Sequence, residues 1–227
     1  MSIEGVSPKR GEVWFAWFNN YSGVTLKTPS KTLVFDPAEV DPKIFKTVDA
    51  ILITHDHSDH LDEIVIRDVH KRTQCQVIAD LTSTRKLKGV VASDKLREVR
   101  VGSELKIGDV AVRVEGFNHP AATPVSFFIT SEDGIKIYIT GDSLPFPEMK
   151  RIGERSSPDV VFCTVGTPAP GASPKTGLDI VKLVQPKVAI PYHAPVADQK
   201  RFAELLSKEA PKVRCMVIEE GKPYKYP

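Results

Sequence analysis

One short region restricts the fold of this chain more than any other. The apolar run VDAILIT at residues 48–54 is typical of a buried strand. It leads directly into the polar segment THDHSDH at residues 54–60, after which apolar residues recur at helical spacing over about 61–74. With Ser58 or Asp59 as a candidate helix cap, the polar segment is predicted to lie between a strand end and a helix start.

The polar segment has the chemistry of a metal site. It contains three imidazoles and two carboxylates in seven positions. Neutral imidazole nitrogen and carboxylate oxygen suit zinc, manganese and iron, and alternate side chains at this spacing can point to two adjacent ions. A two-metal hydrolytic site is therefore the first hypothesis, with a solvated polar loop as the alternative. The candidate ligands in the segment are His55, His57, Asp59 and His60.

The bulk composition is that of an ordinary globular protein. A chain of 227 residues with 41% hydrophobic and 26% charged residues can bury a core without disulfides or a structural metal. Its formal net charge of +2 gives no reason to expect a nucleic-acid or membrane partner. No segment resembles a signal peptide or a membrane span, so a cytoplasmic protein is expected. Three widely spaced cysteines are interpreted as reduced core residues: Cys75, Cys163 and Cys215.

Strand and helix signals alternate along the whole chain without a charged linker or a low-complexity tract, so one domain over residues 1–227 is the simplest organisation. The first part predicts an antiparallel meander at 12–18, 22–27 and 31–35. The middle predicts two hairpins, 104–107 with 110–115 and 126–130 with 135–140. The last part predicts helix 147–154, strand 159–165, helix 177–184, strand 187–191, helix 198–208 and strand 213–218. These elements predict an α/β fold in which helices cover packed sheets.

Further candidate ligands occur where predicted strands end. His119 follows AVRVEGFN, Asp142 follows IKIYITG, and His193 follows KVAIPY. Asp36 follows the apolar run TLVF in the same way. Side chains that gather at one edge of a sheet from several strand ends form a site on a rigid scaffold. We therefore expect these residues to join the polar segment, with a simple turn-forming role as the alternative for the two aspartates.

Together these residues resemble the signature of the metallo-β-lactamase superfamily. Its HxHxDH motif is present without a mismatch as His55, His57, Asp59 and His60. The remaining ligand positions are matched in order by His119, Asp142 and His193, and the resemblance spans nearly the whole chain. The run 141–195, with GDS, GERSSPDVVF and IPYHAP, is similar to the small metal-dependent hydrolases related to ascorbate-6-phosphate lactonase.

The resemblance implies a four-layer αββα sandwich made of two similar halves, which would meet near residue 120. It also implies two divalent metal ions, with zinc expected first and manganese or iron as alternatives. The first ion would be bound by His55, His57 and His119, the second by Asp59, His60 and His193, and Asp142 would bridge them. Asp36 would orient a ligand histidine through its other ring nitrogen. Asp59 would also act in catalysis, by orienting a hydroxide that bridges the metals.

Two features of the resemblance indicate hydrolysis rather than redox chemistry. Flavodiiron oxygen reductases of this fold usually carry Glu where this chain has His57, and the lactamases with a Cys ligand lack the bridging Asp142. The chain departs from the lactonase-like group at residues 19–22, NNYS, where that group commonly has Gly-His. It departs again at residues 194–196, APV. Because both segments are expected near the pocket, the substrate of a relative does not carry over.

Two substrate contacts are predicted from their position alone. The loop 167–177 is rich in Pro and Gly and would present Lys175 to an anionic group, although a solvated lysine is the simpler interpretation. Tyr192, next to a ligand, is assigned either to substrate binding or to packing. His70, on the polar side of the first helix, is interpreted as a surface or satisfied core residue and not as a ligand.

The leading functional expectation is a metal-dependent hydrolase of a small-molecule ester, lactone or phosphate-containing substrate. A nuclease or phosphodiesterase of the same fold is the enzymatic alternative, and the low net charge and the short chain stand against it. A non-catalytic metal or ligand sensor is the third hypothesis. No membrane partner is expected, and a homo-oligomer is compatible with the sequence.

Overall fold

Two mixed β-sheets form the centre of the molecule, whose computed structural model describes residues 3–227. The strands of the first sheet are β1 (Val13–Trp17), β2 (Val24–Lys27), β3 (Thr32–Phe35), β4 (Ala50–Ile53), β5 (Gln76–Ala79), β6 (Leu96–Glu98) and β14 (Tyr224–Tyr226). They follow the order β14-β1-β2-β3-β4-β5-β6. The pairs from β14 to β3 are antiparallel and those from β3 to β6 are parallel.

The second sheet has the same division into an antiparallel and a parallel part. Its strands are β7 (Glu104–Ile107), β8 (Val110–Glu115), β9 (Ser126–Thr130), β10 (Lys136–Ile139), β11 (Val160–Thr164), β12 (Val188–Tyr192) and β13 (Arg214–Cys215). They follow the order β13-β12-β11-β10-β9-β8-β7. The pairs from β7 to β10 are antiparallel and those from β10 to β13 are parallel.

Helices cover the outer face of each sheet. They are α1 (Glu63–Thr73), α2 (Leu81–Leu87), α3 (Met149–Ser156), α4 (Pro174–Val184) and α5 (Val196–Glu209). Apolar residues of α1 and α2 pack on the first sheet, where Val65 and Val69 join the same cluster as Ile51. The other three helices pack on the second sheet, where Leu178 and Phe202 join the same cluster as Val161.

The inner faces of the two sheets enclose the main apolar layer. Strands β1 and β8 show the alternation that this packing requires, because every second residue points to the same face of a sheet. Phe15 and Val112 are examples, and both belong to the cluster between the sheets. The layers are therefore helix, sheet, sheet, helix, which confirms the αββα sandwich predicted for the fold.

Strand direction determines where the site forms. Strands β1, β3 and β4 run in the same direction, because β2 is antiparallel to β1 and β3 and because β4 is parallel to β3. Strands β8, β10 and β12 likewise run in one direction in the second sheet. The loops that follow strands of one direction leave the same edge of their sheet. Each sheet therefore carries its site loops at a single edge.

Most strand predictions are confirmed, and the differences lie at short elements. The N-terminal meander and both central hairpins occur as predicted. The region 75–98 contains β5, α2 and β6, where the sequence pattern predicted no element. The predicted strand 213–218 is reduced to the two residues of β13. The chain passes between the sheets at residues 99–103, earlier than residue 120, where the two halves were expected to meet.

The predicted helix starts differ from the observed ones by two or three residues, and two of these differences concern candidate residues. Helix α1 is capped by Asp62, whose carboxylate accepts hydrogen bonds from the backbone N–H groups of Ile64 and Val65. The prediction of Ser58 or Asp59 as its cap was therefore wrong. Helix α4 begins at Pro174, so Lys175 lies in its first turn and not in a loop.

His70 lies in the core, and its placement on the polar side of the first helix was wrong. The residue is 4% exposed. Its Nδ1 lies 2.9 Å from the carbonyl oxygen of Cys75, and its Nε2 accepts a hydrogen bond from the backbone N–H of Ala92 at 3.3 Å. It is the satisfied core histidine that the sequence allowed, and it joins α1 to the segment that follows α2.

The cysteines are free thiols, as predicted. Cys75 and Cys163 are buried, and Cys215 is half-buried. Over residues 3–227, no helix has the length and apolar character needed to cross a membrane.

Candidate metal centre

The predicted ligands come together at one edge of the sandwich. The segment 54–60 follows β4, His119 follows β8, Asp142 follows β10 and His193 follows β12. The donor atoms form two groups, and within each group they lie within 4.8 Å of one another. One group is His55, His57 and His119, and the other is Asp59, His60, Asp142 and His193. Each group takes ligands from both sheets.

Close contacts define the second group. His60 Nε2 lies 3.2 Å from Asp142 Oδ2 and 3.7 Å from Asp59 Oδ2. His193 Nε2 lies 3.5 Å from Asp142 Oδ1 and 3.6 Å from Asp59 Oδ2. The rings of His60 and His193 are nearly parallel, at 15°, with their centroids 5.6 Å apart. Two imidazole nitrogens and two carboxylates thus converge on one point.

In the first group, His119 Nε2 lies 3.1 Å from His57 Nδ1. The His55 ring packs against both of these rings, with centroid distances of 4.5 Å and 4.8 Å. His55 is fully buried and His119 is 9% exposed, whereas His57 is half-buried. The group therefore opens toward solvent on the His57 side.

Asp36 orients His60. The carboxylate is fully buried and accepts hydrogen bonds from the backbone N–H and the hydroxyl of Thr54, at 2.8 Å and 2.7 Å. Its Oδ2 lies 2.9 Å from His60 Nδ1. This contact fixes the imidazole with Nε2 directed into the second group, which is the role that the resemblance implied for Asp36.

The turn that carries Asp142 depends on a glycine. Gly141 has φ +56°, and a Cβ atom there would lie 2.7 Å from the Phe117 ring. Thr164 donates a hydrogen bond from its hydroxyl to the Gly141 carbonyl oxygen at 2.6 Å. Ser22 donates from its hydroxyl to Asp142 Oδ1 at 3.2 Å, so the carboxylate is held by the loop that follows β1.

The loop that carries His119 is attached to both sheets. Ser143 Oγ accepts a hydrogen bond from the backbone N–H of Asn118 at 2.9 Å, which joins this loop to the Asp142 turn. On the other side, the Thr123 hydroxyl donates to Asp80, and it lies 2.7 Å from the Thr82 hydroxyl. Asp80 directly follows β5 of the first sheet and caps α2. These contacts position His119 against the ligands of the other sheet.

Unusual backbone conformations cluster at the centre. Six non-glycine residues among those described have positive φ. Three of them, Gln74, Ser157 and Gln185, are the C-caps of helices. The other three are Asp36 (φ +45°), Glu39 (φ +52°) and His193 (φ +52°). Such conformations cost free energy and persist where the surrounding structure requires them.

The ionisation of the carboxylates follows from their neighbours. Burial disfavours the charged form of Asp142, but His60 and His193 outweigh it and hold the pKa of Asp142 far below its ordinary value. Burial also opposes ionisation of Asp59, but the nearby imidazoles of His193 and His60 keep its pKa lowered. Both side chains are therefore carboxylates at neutral pH, as metal ligands must be.

The histidines divide into two types. Burial lowers the pKa of His55 and of His119, so both imidazoles are neutral, the form that binds metal. His60 is also buried, but Asp142 and Asp36 raise its pKa well above the ordinary value. The His60 imidazole therefore carries a proton on each ring nitrogen at neutral pH when no metal is bound. A metal ion at Nε2 would displace the proton there.

The nitrogen atoms of the cluster fit divalent metal ions. His55 Nε2, His60 Nε2 and His193 Nε2 are buried and have no hydrogen-bond partner within residues 3–227. Leaving a buried polar atom unpaired is costly, and coordination to a cation would satisfy each lone pair. The donor set of imidazole and carboxylate, without thiolate, suits zinc, manganese and iron.

Several residues of the centre carried no predicted role. Thr54 contacts Asp36 and also lies 3.0 Å from His55 Nδ1 through its hydroxyl. Phe117 packs on His55 and His119, with centroid distances of 5.6 Å and 5.9 Å. Tyr21 lies beside His193, with ring centroids 5.7 Å apart. The one available signal was that residues 19–22 depart from the related hydrolases, which marked the Tyr21 loop as part of the pocket.

The two predicted substrate contacts differ in their surroundings. Lys175 is exposed on α4 and remains a prediction. Tyr192 is fully buried between the sheets, with its ring 5.6 Å from that of Phe162. Of the two roles considered for Tyr192, its burial supports packing beneath the centre, and substrate contact stays a prediction.

The sandwich is similar to known hydrolase structures and sequences. The metallo hydrolase Igni18 from Ignicoccus hospitalis matches with a TM-score of 0.80 at 20% identity, over 95% of this chain and 99% of that chain. A UPF0173 metal-dependent hydrolase from Staphylothermus marinus is 28% identical over 214 residues, which cover 87% of this chain and 90% of that protein. A UPF0173 protein from Pyrococcus furiosus is 30% identical over 203 residues, which cover 86% of this chain and 90% of that protein.

The fold, the ligand cluster and these relatives together define the class, a metal-dependent hydrolase of the metallo-β-lactamase fold. The chain belongs to the β-lactamase superfamily domain family, whose model matches residues 22–194. That match includes every candidate ligand, from the segment after β4 to His193.

Proposed function

We propose that the protein hydrolyses a small-molecule ester, lactone or phosphate-containing substrate with two divalent metal ions bound at this centre. The division of the ligands into two compact groups, each spanning no more than 4.8 Å, carries the proposal. One ion would be held by His55, His57 and His119, the other by Asp59, His60 and His193, with Asp142 shared between them. Zinc is the first expectation, and manganese or iron are the alternatives.

The metal ions would supply a nucleophile at neutral pH, by acidifying water, and would polarise the oxygen of the scissile group. The chain's own side chains supply orientation. Asp59 is ionised and 23% exposed, so its carboxylate can accept a hydrogen bond from the attacking water while it contacts His60 and His193. Asp36 keeps His60 in one ring orientation, and Phe117 packs against the His55 ring of the first group.

A small substrate is favoured over a nucleic acid. The formal net charge of +2 gives little electrostatic attraction for a phosphate backbone. The chain places its elements in the sandwich itself, with no additional domain among residues 3–227 that could bind a polynucleotide.

The test pairs metal content with turnover. His57→Ala and Asp142→Ala are each expected to lose bound metal and hydrolysis together, on a panel of lactones, phosphodiesters, thioesters and short RNA. Both variants should keep the circular dichroism spectrum of the wild type, because the apolar layer between the sheets is untouched. Metal would be measured by elemental analysis on the samples used for the assays.

Asp56→Ala is the matched control. Asp56 lies within the same motif, but its carboxylate pairs with Lys86 at 2.8 Å and takes no part in either ligand group. It should retain metal and activity. Full activity in either ligand variant contradicts the proposal, and metal without any turnover in the wild type favours the sensor hypothesis.

A further inference from the structure

The loop that follows β1 places a tyrosine at the rim of the second ligand group. Its backbone is held by three hydrogen bonds: Trp17 Nε1 donates to the Tyr21 carbonyl oxygen at 2.6 Å, and Asn19 Oδ1 accepts from the N–H groups of Tyr21 and Gly23 at 3.1 Å and 2.8 Å. Asn19 is 4% exposed, and its Nδ2 donates to the Ala38 carbonyl oxygen at 2.9 Å. The position of the Tyr21 side chain is therefore determined by the loops that follow β1 and β3.

Tyr21 pairs with an acidic residue from the second of these loops. Its hydroxyl donates a hydrogen bond to Glu39 Oε2 at 2.9 Å. Glu39 is exposed and makes no ion pair with the residues described, 3–227. Its backbone has φ +52°, an unfavourable conformation for glutamate that directs this side chain to Tyr21. A strained glutamate whose exposed carboxylate pairs with a tyrosine at this rim points to a role in binding.

The pair lies next to metal ligands. The half-buried Tyr21 ring is 5.7 Å from the ring of His193, whose Nε2 contacts Asp59 and Asp142. A substrate whose scissile group reached the second ligand group would therefore place its neighbouring substituents against Tyr21 and Glu39.

We propose that Tyr21 and Glu39 determine substrate specificity by binding a hydroxyl or amine group of the substrate next to the scissile bond. The inference rests on the proposed function, because it concerns the substrate of the same centre. Tyr21 gives its only hydroxyl proton to Glu39, so its oxygen presents lone pairs alone. The Glu39 carboxylate also only accepts. The pair thus offers hydrogen-bond acceptors to donors on the substrate.

The charge of the pair works against anionic groups. A phosphate or carboxylate on the substrate at this position would approach the unpaired negative charge of Glu39. Like charges brought together at a binding surface select against that ligand. Among the substrates proposed above, hydroxylated lactones and esters are therefore favoured over those with a phosphate at this position.

The first experiment compares two ring esters that differ in their hydroxyl groups, D-glucono-1,5-lactone and δ-valerolactone. The wild type, loaded with zinc, should show a kcat/KM at least tenfold higher for the hydroxylated lactone. Tyr21→Phe keeps the ring beside His193 but removes the acceptor, so it should lose about tenfold in kcat/KM for D-glucono-1,5-lactone. Its kcat/KM for δ-valerolactone should change less than twofold.

Glu39→Gln tests the charge. It should raise the kcat/KM for 6-phospho-D-glucono-1,5-lactone severalfold relative to that for D-glucono-1,5-lactone. The reason is that the repulsion of the phosphate by Glu39 is removed. Glu204→Gln, at an exposed glutamate on the outer helix α5, is the matched control and should leave all three ratios unchanged. Metal content and thermal midpoint, measured for every variant, should equal those of the wild type. A variant that lost metal would instead indicate a structural role for the pair.

A binding measurement separates this inference from the proposed hydrolysis. D-glucono-1,5-lactam and δ-valerolactam have the same rings with an amide in place of the ester, and calorimetry reports their affinity without turnover. The wild type should bind the hydroxylated lactam at least tenfold more tightly, and Tyr21→Phe should abolish the difference. The proposal is overturned if the ratio of the two lactam affinities is the same in the wild type and in Tyr21→Phe. It is also overturned if the wild type binds neither lactam, even if the lactones are hydrolysed.

Discussion

Asp36 shows how a residue outside the ligand groups sets the geometry of the centre. Its carboxylate is fully buried, and it holds Thr54 and His60 at the same time. Only the arrangement with His60 Nδ1 toward Asp36 leaves Nε2 free for the second group. Because the backbone of Asp36 has φ +45°, the carboxylate reaches this position at a conformational cost that the three hydrogen bonds offset.

We expect Asp36→Asn to weaken metal binding without removing it. The amide keeps the shape of the side chain, but it no longer provides a negative charge for the His60 imidazole. Losses of about 10–100-fold in metal affinity are typical of such changes. Competition with a chromophoric chelator would measure the affinity. Asp68→Asn, at a half-buried position on α1 outside the ligand groups, is the control, and unchanged affinity in Asp36→Asn would show that Asp36 does not orient His60.

The ligands themselves were predictable, whereas their supporting residues were not. The spacing in the segment 54–60 is local, and His119, Asp142 and His193 each follow a clear strand signal. Thr54 and Glu39 gain their roles only when loops from different strands meet, and such contacts leave no pattern in the sequence. Tyr192 was left between two roles because an apolar strand end does not reveal which face its last residue occupies.

At the scale of elements, the contact between α3 and α4 depends on one small residue. A Cβ atom at Gly153 would lie 2.5 Å from the carbonyl oxygen of Val184 and 2.9 Å from that of Leu183. The absence of a side chain therefore allows α3 to approach the end of α4 directly, and this packing covers part of the second sheet.

We expect Gly153→Ala to destabilise the protein by about 1–3 kcal/mol, the usual range for overpacking. The sign of the change in the free energy of unfolding distinguishes overpacking from helix propensity. In an open helix position, alanine in place of glycine would stabilise the protein by up to about 1 kcal/mol. Urea unfolding followed by circular dichroism measures the change. Gly5→Ala is the control, since a Cβ atom there meets nothing within 4 Å, and a stabilised Gly153→Ala protein would contradict the close approach.

Element predictions succeeded where patterns were long and failed where they were short. The hairpin of β7 and β8 was predicted with its bounds because alternation and a Gly-Asp turn coincide there. Strand β6 has only three residues, none of them buried, so no apolar pattern identifies it. The start of α1 was placed too early because Asp59 and Asp62 are both good caps in sequence, and only the structure shows that Asp62 is used.

At the scale of the molecule, metal binding is expected to link the two sheets. Both ligand groups combine residues that follow strands of the first sheet with residues that follow strands of the second. A ligand that binds only the folded state adds about 2.7 kcal/mol of stability at a hundredfold excess over its Kd.

Removal of metal by a chelator should therefore lower the thermal midpoint by roughly 5–10 °C, given the size of the chain. Differential scanning calorimetry with and without EDTA, followed by addition of zinc, would show the loss and its recovery. Asp142→Ala serves as the control and should not respond to either treatment. An identical midpoint for the wild type with and without chelator would mean that metal does not join the sheets.

The architecture as a whole was predicted because the motif and the strand signals agree on it. What could not be predicted is where one sheet ends and the next begins, since strands of both sheets have similar patterns and residues 99–103 resemble any other turn. The substrate was not predictable either, because it depends on residues such as Tyr21 and Glu39 that come from separate loops.

The distribution of ligands over both sheets also has a consequence for biosynthesis. The segment 54–60 leaves the ribosome long before His119, Asp142 and His193 have been added, and it contains only part of either ligand group. The first group is therefore complete only once His119 has been added, and the second only once His193 has been added. We expect full coordination of metal to follow synthesis of most of the chain, and the protein made without metal to be inactive.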